Sequence, residues 1–356
     1  MNEKGRNILP MIGFILIIAV LMGGLALAKG LGKGGTFNDN KVSNKSETRG
    51  SALGGYTIDD TGSATVSGMN KISISAVSSE VKIETHNSNE VEAHFHGKIT
   101  ISNKDALPYL EVKKEGTTVI VRIVYPNTAN ISISGRTWLD VKIPEDWEND
   151  LKVTSVSGLI IAPKLSGEEV ELNTTSGEIK VENIEGENVR LNSTSGAINT
   201  GKVIARNLFE KSTVSGSFEA DSIEADTVKL GSTSGSAAVR YAAAEKVTST
   251  SISGSVQINL QGGSAEMSAT SGEISVSFKQ GFEEFKANSV SGPVNLQIPG
   301  DSGFKAEIAT VSGSINCEDF SMKIISSKKN HLEAEAGDGE SRIEVHTTSG
   351  SVSIRK

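Results

Sequence analysis

Few residues in this chain have the type and spacing that chemistry needs. His94 and His96 stand two apart in Val91-Glu92-Ala93-His94-Phe95-His96. In a strand, alternate side chains share a face, so the two imidazoles point one way and Val91, Ala93 and Phe95 point the other. Two imidazoles so placed are the beginning of a zinc-type site. The sequence shows no third ligand beyond Glu92, so the pair reads as a solvated face and no metal is expected. His86, His331 and His346 complete the histidines. No Gly-x-Ser-x-Gly elbow stands ahead of an Asp and a His in triad order. The single cysteine, Cys317, rules out an internal disulfide and a Cys-based zinc site. Gly337-Asp338-Gly339-Glu340 has the look of a calcium-binding repeat loop, but it occurs once, without the nonapeptide period. Polysaccharide lyases and hydrolases built on β-solenoids need clustered carboxylates or a cation-plus-base set on one face. Here Glu178, Glu182, Glu219 and Glu273 are scattered over outward positions with no column of them. The expectation is therefore no catalytic residue, no cofactor and no enzyme.

The composition narrows the elements that could position such residues. The 356 residues carry a formal net charge of -8, which argues against nucleic acid as a partner, because that binding needs a basic surface to displace counterions. Aromatics make up 4% while glycine contributes 37 residues. Large rings normally fill irregular cores, so a conventional globular core is not indicated. The hydrophobic share of 37% is still too high for a disordered chain.

Residues 1–7 read as a short basic cytoplasmic N-terminus, followed by the uncharged run from Ile8 to Ala28. At ~1.5 Å per residue this run, as a helix, spans about 30 Å, one hydrocarbon core. It reads as a transmembrane signal anchor, with most of the chain extracytoplasmic. Ala26-Leu27-Ala28 also fits a signal-peptidase site, so a secreted protein cleaved after Ala28 is the alternative. The run exceeds the usual ~7–15 residues of a cleaved signal, which favours the anchor. Residues 29–63, rich in Gly, Ser and charge, read as a flexible linker.

The main signal is a repeat. Ser-Gly recurs at Gly158, Gly177, Gly196, Gly216, Gly235, Gly254, Gly272, Gly292, Gly313 and Gly350, at steps of 18 to 21 until a last step of 37. That last step reads as two periods with one Ser-Gly missing. Two residues after each glycine stands an apolar side chain, from Ile160 and Ile179 to Val352, and the position four after is apolar or small, Cys317 among them. Seven and five residues before it lie further apolar positions, broken in the second column by Lys211 and Ser249. Three before, every residue is small, from Ser155 to Thr347. Each unit thus reads as strand, tight corner, strand, and a looser exposed corner. The glycine would serve either a positive φ or a close backbone approach. Equivalent residues every ~19 positions predict an all-β, parallel β-helix-like solenoid of two-strand coils, stacked ~4.8 Å apart into a rod on the order of 50 Å long. An antiparallel meander or sandwich is the rival, but it does not require every second corner to be alike. Cys317 then falls in an inward column as a small buried hydrophobe.

Residues 64–150 alternate in the same style with poorer phase and read as an irregular cap, where Trp138 and Trp147 supply bulk. Residues 151–356 are the regular repeats. Arg355-Lys356 would place charge on the far end of the rod and discourage end-to-end pairing.

Leu139-Asp140-Val141-Lys142-Ile143-Pro144, then Leu151-Lys152-Val153, Val156-Ser157-Gly158 and Thr-Ser-Gly-x-Ile units such as Thr175 to Ile179 resemble the bacterial putative-adhesin family. The resemblance covers roughly residues 64–356, and the run from Gly337-Asp338-Gly339 to Ser349-Gly350-Ser351-Val352 fits that family's last repeat. It implies a solenoid-like fold of β-strand repeats, a domain of unknown function, frequent membrane anchoring in the cell envelope, and no established catalytic residue. The resulting expectation is a membrane-anchored, non-catalytic surface or structural module of the bacterial envelope, adhesin-like. Its partners would be the membrane, through the N-terminal helix, and an envelope polymer, glycan or membrane protein. An accessory of the envelope stress response, beside which some relatives sit, is one alternative, and a polysaccharide-active enzyme is another.

Overall fold

The computed structural model describes residues 54–126, 132–317 and 320–356. The segment read as a membrane anchor, residues 8–28, lies outside them. Among the described residues no helix is long and apolar enough to cross a membrane.

The alternation read in the sequence becomes twenty-four strands among the described residues. The first eight are β1 (Gly55–Thr65), β2 (Lys71–Ala76), β3 (Glu80–His86), β4 (Glu90–Ile101), β5 (Tyr109–Glu115), β6 (Thr118–Val124), β7 (Ile133–Pro144) and β8 (Asp150–Ser155). Five long strands follow: β9 (Ile160–Thr174), β10 (Ile179–Ser193), β11 (Ile198–Thr213), β12 (Phe218–Ser232) and β13 (Ala237–Ser251). Then come β14 (Val256–Leu260), β15 (Gly263–Ala269), β16 (Ile274–Phe278), β17 (Phe282–Ser289), β18 (Val294–Gln297), β19 (Phe304–Thr310) and β20 (Ile315–Cys317). The last four are β21 (Met322–Lys328), β22 (His331–Ala336), β23 (Ser341–Thr347) and β24 (Val352–Arg355). One 3₁₀ turn, Lys104–Ala106, is the only helical element among the described residues. β1 begins inside the stretch that its composition marked as linker.

Successive coils pair in parallel, residue on equivalent residue: Ile160 with Ile179, Ile179 with Ile198, Ile198 with Phe218. This is the solenoid-like stacking that the period predicts, and it puts Ile72, Val81, Leu151, Val170, Val189, Val228 and their kin in a dry interior. Irregular steps are local. Between β10 and β11 the register slips after Gly186, so the chain around Arg206 and Asn207 carries one extra residue as a bulge. The next step, Gly196 to Gly216, is accordingly 20 rather than 19.

The Ser-Gly corners use the second of the two roles considered for glycine. None of the repeat glycines from Gly158 to Gly350 has a positive φ. A Cβ on Gly196 would instead sit well within 3.0 Å of the Gly177 carbonyl oxygen, and the same holds from coil to coil along the stack. The small residue three positions earlier closes the corner. Ser155 Oγ donates to the Gly158 carbonyl at 2.9 Å, Ser193 to Gly196 at 2.7 Å, Ser289 to Gly292 at 2.7 Å and Thr347 to Gly350 at 2.7 Å.

Three expectations need correction. The looser corner is not a break between two strands in β9 to β13, because pairing continues through it and each coil there shares one strand of 15 or 16 residues with the next. Only from β14 onward, where Gln261-Gly262 and Pro299-Gly300 interrupt, does the corner become a loop. Next, no coil is hidden between Gly313 and Gly350. Residues from Met322 to Ala336 form an antiparallel hairpin, β21 with β22, and β22 lies antiparallel against β19. Finally, β23 and β24 do not end the stack. β23 lies between β17 and β19, and β24 between β18 and β20, so the coil containing Arg355 is second from the end.

The N-terminal region mirrors this order. β2 lies between β6 and β8, and β3 between β7 and β9. Much of the supposed irregular cap is therefore stacked coil, and the antiparallel cap proper is β5 on β6, with β4 on β7 and β1 on β4. Antiparallel strands at both ends keep the parallel ladders from offering long open edges.

Candidate functional site

The cap sheet β1–β4–β7 brings together side chains that are far apart in sequence. Its inner face is apolar, with Ile58, Ala93, Phe95, Leu139 and Val141 all buried. The period of two then sends Asp59, His94, His96, Trp138 and Asp140 outward. The antiparallel register pairs Asp59 with His96, His94 with Asp140 and His96 with Trp138, so the outward residues stand at one level on three neighbouring strands.

The contacts run diagonally between those pairs. His94 Nε2 donates to Asp59 Oδ1 at 2.7 Å, and His96 Nε2 donates to Asp140 Oδ2 at 2.9 Å. The two imidazoles stack with centroids 4.4 Å apart, and Trp138 stacks on His96 at 5.5 Å with an interplanar angle of 19°. One ligand atom from each of His94, His96 and Asp140 falls within 4.8 Å of the others. These side chains are 33% to 59% exposed, so an ion or small ligand reaches them without any opening motion. Lys98 and Arg136 line the shallow groove beside them.

Sequence reasoning reached His94 and His96 and stopped at Glu92. Glu92 instead approaches His86 at 4.0 Å. The partners it missed, Asp59 and Asp140, lie 35 and 44 residues from the histidines they touch. Only the strand register joins them.

A second surface crosses the coils. A groove runs along the arms that follow the Ser-Gly corners, from β3 through β13, lined by Lys82, Glu182, Gly201, Asp221 and Arg240 among others. Arg240 pairs with Asp221 at 3.4 Å and Lys180 with Glu178 at 3.0 Å. The acids at 178, 182, 219 and 273 are spread along the outside of the stack, as their positions in the repeat imply.

Two interior positions differ from their columns. Lys211 replaces an apolar residue five before Gly216 and is 1% exposed. Burial pushes its ammonium down from 10.5 to about 8. Its Nζ donates to the Gly231 carbonyl at 3.3 Å and sits 5.6 Å from the Phe218 ring centroid. Cys317 is half-buried rather than buried, because β20 is a three-residue strand paired on one side only, by β24. Burial still pushes its thiol up to about 11, which makes it a poor nucleophile.

The family described as Toastrack DUF4097 matches residues 69–209 and 201–355, most of the chain. The chain belongs to that family. No curated protein matches it. Similar solved structures include a putative adhesin from Parabacteroides merdae, 14% identical, covering 67% of this chain and 91% of that one with a TM-score of 0.44. Another is a putative cell adhesion protein from Clostridium sporogenes, 12% identical, covering 84% and 99% with a TM-score of 0.30. A putative adhesin from Parabacteroides distasonis is 12% identical, covering 83% and 95% with a TM-score of 0.39.

Proposed function

We propose that the chain is a membrane-anchored, extracytoplasmic module of the bacterial envelope that binds an extended polymer without transforming it, in an adhesin-like role. The observation that carries this reading is the groove along β3 to β13, which crosses six parallel-paired strands and presents side chains from equivalent positions of successive coils. A ligand with its own repeat meets that surface several times over, and several weak contacts made by one molecule sum to useful avidity. Mixed charge along the groove, with Lys82, Lys180 and Arg240 set among Glu182, Glu219 and Asp221, suits a hydroxyl-rich or zwitterionic polymer such as a glycan. Support for the anchor comes from the uncharged run Ile8 to Ala28, followed by a spacer that would hold the rod clear of the lipid.

The test is a binding screen of the purified protein against envelope polymers and host-surface glycans, repeated with Lys180→Glu and Arg240→Glu. Retention on one polymer class, weakened by both reversals, supports the proposal. Retention indifferent to them, or turnover of the polymer, overturns it. For the anchor, the mature protein should fractionate with membranes. An N-terminus beginning at Lys29 would refute it.

A further inference from the structure

We propose that His94, His96 and Asp140, completed by Asp59, bind a divalent transition-metal ion of the zinc class on the outer face of the β1–β4–β7 sheet. The donor set is right for such an ion: two imidazoles and two carboxylates are borderline ligands that zinc, cobalt and nickel share. The charge is right too, because two carboxylates against neutral imidazoles balance a 2+ ion. The geometry is close to assembled, with one donor atom from each of His94, His96 and Asp140 already within 4.8 Å of the others. The hydrogen bonds that now join each Nε2 to a carboxylate oxygen hold the four groups at one spot. An ion entering there replaces those protons and keeps the same partners.

The frame is rigid. The four side chains rise from three hydrogen-bonded strands whose opposite faces are packed by Phe95, Ala93, Leu139 and Val141. A site carried on paired strands loses little entropy on binding compared with one carried on loops. None of the four ligands lines the polymer groove, although Asp140 stands in register beside Lys82 at the groove's edge.

Trp138 makes the site self-reporting, since its ring stacks on His96. The only other tryptophan, Trp147, is buried with its Nε1 donating to the Asp150 carbonyl. Titration of the full chain, purified without a histidine tag, with Co²⁺ should quench part of the tryptophan emission saturably at one ion per chain, and Zn²⁺ should restore it by displacement. His94→Asn and His96→Asn should abolish the saturable phase, and Asp140→Asn should weaken it by roughly 10- to 100-fold. Trp138→Phe should lose the quench yet keep the visible absorption of bound Co²⁺. All four positions are solvent-facing, so circular dichroism should show each variant folded. A wild type without saturable quenching or Co²⁺ absorption overturns the proposal. So does binding that survives in the His94→Asn, His96→Asn double variant.

Discussion

Replacing the buried lysine is the most direct probe of how this stack is held together. Lys211 pairs in register with Leu191 on one side and Leu230 on the other, so Lys211→Leu restores an aliphatic column. In the fold its ammonium is pushed from 10.5 to about 8. At ~1.4 kcal/mol per pH unit, holding the charged form inside therefore costs about 3 kcal/mol at pH 7. The sign follows from linkage. The folded pKa lies below the unfolded one, so folding releases a proton. The penalty is full below pH 8, shrinks as the pH rises through the interval, and vanishes above 10.5. Part of the gain in Lys211→Leu is offset by losing the bond to the Gly231 carbonyl and the contact with Phe218, each worth about 1 kcal/mol. The variant should be more stable than the parent by about 1 kcal/mol at pH 7, and slightly less stable, by up to about 1 kcal/mol, at pH 10.5, where the penalty has gone and the lost bond to the Gly231 carbonyl remains. Urea unfolding followed by circular dichroism at both pH values reads this difference. A variant less stable than the parent at pH 7, or an advantage that does not change with pH, would falsify the account.

Two further outcomes follow from particular residues. Gly196→Ala drives a methyl group into the Gly177 carbonyl and should cost about 3 kcal/mol, while Gly281→Ala, which meets nothing within 4 Å, should be neutral in the same urea assay. Cys317, with its thiol at about 11 rather than 9.0, should react with iodoacetamide at pH 8 roughly a hundredfold slower than an unperturbed cysteine, gaining about tenfold per pH unit.

Composition and spacing made the stacked architecture legible. A residue that must be apolar, small or glycine at a set offset leaves a mark in every coil, and ten such marks from Gly158 to Gly350 are hard to misread. Three features left no such mark. The order of coils did not, because Val352 carries the same pattern wherever it stacks, and the insertion of β24 between β18 and β20 is decided by pairing across the molecule. The hairpin β21–β22 did not, because a run of about one period with alternating residues fits a coil as well as a cap. The fuller site around His94 did not, because Asp59 and Asp140 are ordinary outward residues of their own strands until the antiparallel register sets them beside the imidazoles.

The nesting of β23 and β24 inside the stack bears on how such a rod comes apart. In a simple pile of coils the last segment of chain is also the outermost slab, and it can peel away by breaking one interface. Here, peeling that segment means tearing it from neighbours on both sides and opening a gap in the pile, while the slab that is outermost is tethered by chain at both of its ends. At that face β23 and β24 give no loose end from which unravelling, or a protease that follows it, could start cheaply.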